Sequence, residues 1–199
     1  NPTHIGVAFD PAGPTFRHEA FEQYKAQREE TPEAIRLSVP IIKEIIRAYR
    51  IPILEVAGYE ADDVIGTLAT EAGRQGIITY MMTPDKDYGQ LVSDKVVMGV
   101  DEVKAKFDIQ SPAQVIDMLG LMGDSSDNIP GCPGVGEKTA QKLIAEFGSI
   151  ENLLEHTDQL KGALKTKVET NREMITFSKF LATIKIDVPI QLDMDSLVR

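Results

Sequence analysis

The chain is poor in the residues that build most enzyme sites. Cysteine occurs once, as Cys132, so no disulfide can form within the chain, which fits a reducing cytosol. The histidines, His4, His18 and His156, are scattered. They have no cysteine, serine or aspartate at ligand or triad spacing, which argues against a Cys/His zinc site and a Ser/His/Asp or Cys/His nucleophile. No apolar run reaches the ~18 residues of a membrane span, so no membrane partner is expected. A Walker loop, Gly-x₄-Gly-Lys-Ser/Thr, is absent. The opening Asn1-Pro2-Thr3-His4 lacks the basic-then-apolar pattern of a secretory signal and lacks Met, which reads as part of something longer. Basic residues are scarce too: Lys and Arg number 21 against 31 Asp and Glu, a net charge of −10. Taken alone, that balance argues against a nucleic-acid partner.

What is present is an ordered alternation. His4–Asp10 reads as a buried strand ending in a carboxylate, followed by the breaker Pro11-Ala12-Gly13-Pro14. Residues 16–30 are aromatic and basic. Thr31-Pro32 starts a helix, with Thr31 as N-cap, running to about Arg50; Ile35, Val39, Ile42, Ile46 and Tyr49 share its apolar face, and Pro40 kinks it. Ile51–Val56 is a strand, residues 61–74 a helix with Val64, Ile65, Leu68 and Ala72 inward, Ile77–Met82 a strand, and a short helix follows to Leu91. This alternation predicts an α/β fold with a parallel sheet. Beyond it the pattern is all-helical: Ser111-Pro112 to Met122, Glu137 to Phe147, a helix capped by Ser149, and one long helix over 163–181. The predicted division is an α/β catalytic part, residues 1–110, and a helical lobe, residues 111–199.

Carboxylates gather at the junctions. Asp10 ends the first strand, Glu60, Asp62 and Asp63 lie where a strand passes into a helix, and Asp85 and Asp87 follow the third strand. Asp124 and Asp127 open a Gly/Pro-rich loop. Each group alone has a structural reading, as a helix cap, a dipole partner or a turn residue. Together, at the carboxyl ends of parallel strands where ligands bind, they would repel one another unless cations neutralised them. Hard divalent ions on oxygen ligands, Mg²⁺ with Mn²⁺ as the alternative, resolve this. A pair of such ions suits phosphodiester hydrolysis.

The second motif is Gly131-Cys132-Pro133-Gly134-Val135-Gly136-Glu137-Lys138. Gly134 and Gly136 open the backbone at a helix start, and Lys138 adds charge; this favours a DNA backbone contact over an ordinary helix–turn–helix connection.

Phe16-Arg17-His18-Glu19, Tyr24-Lys25-Ala26-Gln27-Arg28, Tyr59-Glu60-Ala61-Asp62-Asp63, Thr83-Pro84-Asp85-Lys86-Asp87-Tyr88-Gly89-Gln90-Leu91 and Gly123–Gly131 resemble, in order and spacing, the 5′–3′ exonuclease domain of bacterial DNA polymerase I over nearly the whole chain. The resemblance implies a flap-endonuclease (PIN-like) fold, a largely parallel sheet flanked by helices with a helix–hairpin–helix lobe. It implies that Asp10, Glu60, Asp62, Asp63, Asp85, Asp87, Asp124 and Asp127 bind metal. Tyr24, Lys25 and Arg28 would line a helical gateway for the 5′ strand, with Lys25 and Arg28 steadying the phosphate and Arg17 orienting it. Tyr24 would stack on a freed base or pack on its helix. Gly134, Gly136, Lys138 and Lys142 would grip duplex DNA, with K⁺ at the hairpin. The implied substrate is duplex DNA with a 5′ flap, nick or RNA primer, cut by a monomer in the cytoplasm, at the nucleoid, with polymerase domains following in the same chain.

Two departures from the family pattern stand out. The family's first strand, which carries a further metal-ligand aspartate, and the helix after it do not precede Asn1. Lys95–Val100 is short where the family has a longer hairpin. The first leaves a non-catalytic DNA-binding module as a rival reading; an RNA-cutting nuclease on a related sheet is another.

Overall fold

The structure, a computed structural model, describes residues 2–83, 85–97 and 109–199. Strand β1 (Val7–Ala8) pairs in parallel with β2 (Ile53–Leu54), Val7 facing Ile53 and Ala8 facing Leu54. Between them run α1 (Phe16–Ala20) and α2 (Glu33–Ala48), the long crossover that parallel strands require. Helix α3 (Ala61–Arg74) leads to β3 (Thr79–Tyr80), which pairs in parallel with β4 (Val96–Val97). Helix α3 packs on both strand pairs. Val64 and Leu68 form one small core with Val188, while Ala69 joins a larger one.

The ladder is shorter than the sequence suggests, with two residues per strand. Along β3 and its flanks the period is two: Met81 is buried, whereas Ile78, Tyr80 and Met82 are exposed, Met82 at 99%. Helix α2 also departs from expectation. It starts at Glu33 with Pro32, not Thr31, as N-cap, and it runs unbroken through Pro40. None of its residues is buried; Ile35, Ile42 and Tyr49, from the expected apolar face, are exposed along with Leu37, Ile41 and Ile45. Among the described residues it packs on β2, and Lys43 pairs with Glu55 at 2.5 Å.

The rest is helical: α4 (Gln114–Met122), α5 (Glu137–Phe147), α6 (Ile150–Glu155), α7 (Gly162–Thr170), α8 (Arg172–Ala182) and α9 (Met194–Leu197). Helix α4 is the axis of this part. Met118, Leu119 and Leu121 are fully buried, and Gly120 lets α8 and α6 approach: a Cβ there would meet Ile150 at 2.7 Å and Lys179 at 3.0 Å. Ser149 caps α6 as expected, its hydroxyl accepting from Asn152 N. The single helix expected over 163–181 is broken at Asn171, whose side chain donates to the Lys167 carbonyl at 2.7 Å. An asparagine that bonds its own backbone competes with the helix ladder there.

The two halves share one core. Ala69, Met81, Tyr88 and Val92 are continuous with Val115, Met118 and Leu119. The chain after α8 also returns to the α/β part. Val188 N donates to Thr67 Oγ1, Ile5 N to the Leu197 carbonyl and Arg199 N to the Thr3 carbonyl, the last at 3.0 Å. The segment beyond about residue 183 therefore belongs spatially to the α/β part. Lys95–Val97 form the start of the shortened segment; Met98–Val100 and Pro84 lie outside the described residues.

Candidate active site

Asp10 follows β1, is exposed, and caps the start of α3 by accepting from Ala61 N at 2.8 Å. Glu60 is the N-cap of α3, and Asp62 and Asp63 stand in its first turn. The macrodipole favours acids there, yet these three carboxylates can bring ligand atoms within 4.8 Å of one another, a group able to hold a metal ion. The second strand pair delivers Asp85 and Asp87. Asp85 Oδ1 accepts from Asp87 N at 2.9 Å, capping the 3₁₀ turn Lys86–Leu91.

Asp124 and Asp127 sit on a loop closed by its own backbone. Asp124 N and Ile129 N exchange hydrogen bonds with each other's carbonyls at 3.0 and 2.8 Å. Gly123 (φ 75°) and Gly131 (φ 63°) cross at the neck, where a Cβ on Gly131 would lie 2.3 Å from Gly123 N. Gly131→Ala is therefore expected to cost clearly more than the ~1–2 kcal/mol of left-handed backbone alone. A chemical melt within 1 kcal/mol of the parent would refute this account of the loop.

Tyr24–Arg28 zips along that loop rather than forming a helical gateway. Residues 22–27 are turns and residue 28 a bend. Lys25 N donates to the Asp127 carbonyl, Gln27 Nε2 to the Ser125 carbonyl, Arg28 Nε to the Ser126 carbonyl, and Asn128 Nδ2 to the Gln23 carbonyl. Tyr24 is 3% exposed, with its hydroxyl 3.0 Å from Glu60 and 3.2 Å from Asp127. Burial first, then those two acids, push its pKa up, so it stays a neutral donor. A ring so placed has no face to offer a base, which corrects the stacking role expected of it.

Arg17 is corrected as well. It is 1% exposed. Nη1 donates to Glu60 Oε2 and Asp63 Oδ2, Nη2 to Asp63 Oδ1 and the Thr183 carbonyl, and Nε to the Leu181 carbonyl, all within 2.9 Å. All its N–H groups are spent, and none is left to orient a phosphate. Burial alone would lower its pKa, but Asp63 above all raises it, so it remains charged. Asp63 is equally committed. Besides Arg17, its oxygens accept from Lys185 N at 2.7 Å and Glu60 N at 3.1 Å.

The charges can then be paired off. Lys25 lies 2.6 Å from Glu60 and 3.6 Å from Asp127. Arg28 pairs with Asp127, and Lys86 with Asp124 at 2.8 Å. Burial raises the Asp124 carboxyl, but Lys86 and Ser126 hold it below its ordinary range. Lys86 was not singled out by the sequence, because only the fold brings it to Asp124. Asp10, Asp62, Asp85 and Asp87 are left with no ion-pair partner among the described residues. Burial pushes Asp62 up to about 7, with Arg17 opposing and Asp63 and Glu60 adding. Burial, then Asp85 and Asp124, push Asp87 up to about 7. Asp87 Oδ1 is buried without a hydrogen bond. Buried Tyr88 has its pKa raised first by burial and then by the negative charge of Asp62, Asp85, Asp10 and Asp63.

The hairpin lies apart from this network. Gly134 (φ 77°) precedes Gly136, the N-cap of α5, from which Lys138 and Lys142 project, exposed and without ion pairs among the described residues. Lys167, unmarked by the sequence reading, donates from Nζ to the Gly134 carbonyl at 3.1 Å.

Residues 1–120 match the family model of the 5′-3′ exonuclease N-terminal resolvase-like domain. The chain belongs to the 5′–3′ exonuclease family. Residues 110–199 match that family's C-terminal SAM fold. DNA polymerase I of Bacillus caldotenax is 44% identical over 210 residues, and that of Bacillus subtilis 45% over 210. Each match covers 98% of this chain but 24% of the relative, so the chain spans about a quarter of their length. Among solved structures, T5 5′-exonuclease with bound divalent metal ions (zinc) superposes with a TM-score of 0.76 at 23% identity, covering 88% of this chain and 72% of that one. The catalytic core of Rad2 in complex with DNA gives 0.55 at 17%, covering 94% and 66%. The exonuclease fold, α/β with a helical lobe, is thus shared across this range. No helix among the described residues is long and apolar enough to cross a membrane.

Proposed function

We propose that this chain is a structure-selective 5′ nuclease that hydrolyses phosphodiesters of duplex DNA bearing a 5′ flap, nick or RNA primer. The observation that carries it is the set of acids left without cations, Asp10, Asp62, Asp85 and Asp87, beside a set of paired cations, Lys25 and Arg28. A buried carboxylate oxygen with no partner fits a hard divalent ion, and Mg²⁺, with Mn²⁺ as substitute, suits an all-oxygen site. Such ions would supply Lewis-acid stabilisation of the ester oxygens and lower the pKa of the attacking water. Asp10, Asp62, Asp85 and Asp87 would hold them directly, with Glu60, Asp124 and Asp127 as further ligands. Asp63 would act as the frame that Arg17 fixes.

In hydrolysis, water adds to phosphorus and one ester oxygen leaves as negative charge grows on the others. Lys25 and Arg28, which pair with Glu60 and Asp127 beside the unpaired acids, would meet that charge. The Arg28 side chain is 53% exposed, so it can leave Asp127 without stranding a buried cation. Lys25 is less exposed and would exchange Glu60 for the phosphate. Gly134, Gly136, Lys138 and Lys142 would grip the duplex backbone through open N–H groups and ammonium charge, giving little base preference. A K⁺ ion at the hairpin fits poorly, because the Lys167 ammonium already caps the Gly134 carbonyl. The reading includes a monomer acting at the nucleoid in the cytoplasm, as part of a longer polymerase-bearing protein.

The test is cleavage of an end-labelled 5′-flap DNA and of an RNA hairpin, with Mg²⁺ and with EDTA. Mg²⁺-dependent release of the DNA flap, with the RNA left intact, is the expected result. Flap binding without turnover would replace this reading with that of a DNA-binding module, and preferential RNA cleavage with that of a ribonuclease.

A further inference from the structure

We infer that Arg17 is a positioning residue that couples duplex binding at the hairpin to metal binding at the carboxylates; the inference rests on the nuclease reading above for what those two sites hold. Arg17 cannot touch substrate, because its donors are all used inside the protein. What it joins is specific. On one side are Glu60 and Asp63 in the first turn of α3, and Asp63 N in turn holds Asp62 Oδ1 at 2.7 Å. On the other side are the Leu181 carbonyl in the last turn of α8 and the Thr183 carbonyl just beyond it. Helix ends leave such carbonyls without ladder partners and carry partial negative charge. One guanidinium therefore locks the acidic start of α3 to the electronegative end of α8.

Helix α8 reaches the hairpin by a second buried contact. Ser178, fully buried, accepts from Gly131 N at 2.9 Å, and Gly131 opens the Gly131–Gly136 turn. Ser178 and Leu181 are one helical turn apart, about 4.5 Å along the axis. The path from the duplex grip to the metal-binding acids thus runs through the turn, one turn of a rigid helix and Arg17, with a hydrogen bond at every junction. An element that two sites share couples their affinities reciprocally, provided that it has two arrangements. A shift of α8 on duplex binding would move Asp63, and with it Asp62, through a contact that lysine cannot reproduce, since lysine lacks the planar fork.

The experiment measures Mn²⁺ affinity by calorimetry on the whole chain, with and without a dumbbell duplex. Such a duplex has no 5′ end to place a phosphate among the acids. The parent should bind Mn²⁺ about fivefold or more tightly with duplex present. Arg17→Lys should lose about tenfold in Mn²⁺ affinity, as expected when the partner of a ligand group is changed, and show less than twofold coupling. Ser178→Ala, which leaves Arg17 and the acids untouched, should keep the Mn²⁺ affinity of the free chain and lose most of the coupling. If Arg17→Lys does not fold, Ser178→Ala decides. Full coupling in Ser178→Ala, unchanged Mn²⁺ affinity in a folded Arg17→Lys, or no coupling in the parent overturns the inference. Should the parent bind Mn²⁺ and duplex with coupling yet cut nothing, the nuclease reading fails and the coupling stands.

Discussion

Asp87→Asn is expected to lower flap cleavage by about 10²–10³-fold, the loss typical of one group that stabilises the transition state, while making the metal-free chain more stable at pH 8. The two effects share a cause. The Asp87 carboxyl is pushed up to about 7 by burial and by Asp85 and Asp124, against an ordinary value of 3.8. Between those values the native chain holds a proton that the unfolded chain has released. The linkage sign then makes stability fall as pH rises through that window. The contribution is fully present below about 4 and lost above about 7. Asparagine carries no charge to be penalised, so the variant should escape the loss. The shift sets a ceiling of ~4 kcal/mol, at 1.36 kcal/mol per unit; Asp87 keeps some contact with water, so ~1–2 kcal/mol is the expected gain. Saturating Mg²⁺ should stabilise the parent and do little for the variant. Urea melts at pH 5.5 and 8, each with Mg²⁺ and with EDTA, check this. A variant that is less stable than the parent in EDTA at pH 8 would show that Asp87 is held by the protein rather than reserved for a cation.

Lys25→Ala should reduce kcat by about 10²-fold, the loss of one cation aimed at developing phosphate charge, with KM within about threefold. Its backbone adds a second, separable effect. Lys25 sits at φ 56°, in the left-handed region, and a non-glycine residue there is strained. Its N–H on the Asp127 carbonyl at 3.0 Å holds it in place. Such strain places a side chain that a relaxed backbone would point elsewhere. Lys25→Gly removes the same ammonium but suits that conformation, so it should be as inactive as the alanine variant yet ~1 kcal/mol more stable. Single-turnover rates and melts of the pair separate the two effects. A parental rate in either variant would remove Lys25 from the chemistry.

Much of this site could be read from sequence because acids at strand ends and helix starts keep their places whatever the tertiary detail. Glu60, Asp62 and Asp63 do fall together in the first turn of α3 and just before it, and Asp85 and Asp124 act on Asp87. Which of them carries a free charge could not be read, because that depends on partners the fold supplies. Arg17 reaches carbonyls 164 and 166 residues away, and no spacing rule connects them. Tyr24 looked like a stacking ring because its aromatic character is visible in sequence while its hydroxyl partners are not. The α/β alternation was legible, but the outward face of α2 was not, since amphipathicity shows that a helix has an apolar side without showing what covers it. The break at Asn171 was missed because the 3.6-residue period continues across it, and only the side chain's bond to its own backbone interrupts the ladder.

The meeting of the chain's two ends has a practical reach. Thr3 and Arg199 are joined backbone to backbone, and His4 bridges to Val198, so anything fused at either end departs from the same spot on the surface. A short flexible linker across that spot would close the polypeptide into a ring. The ring could then be reopened at an exposed turn, such as the one at Gly76, to give a circular permutant with the active site intact, a tolerance common where termini adjoin. A donor and an acceptor dye placed on the two ends would sit within close transfer range in the folded molecule. Loss of that transfer would report, without any substrate, the moment at which the C-terminal segment leaves residues 3–5.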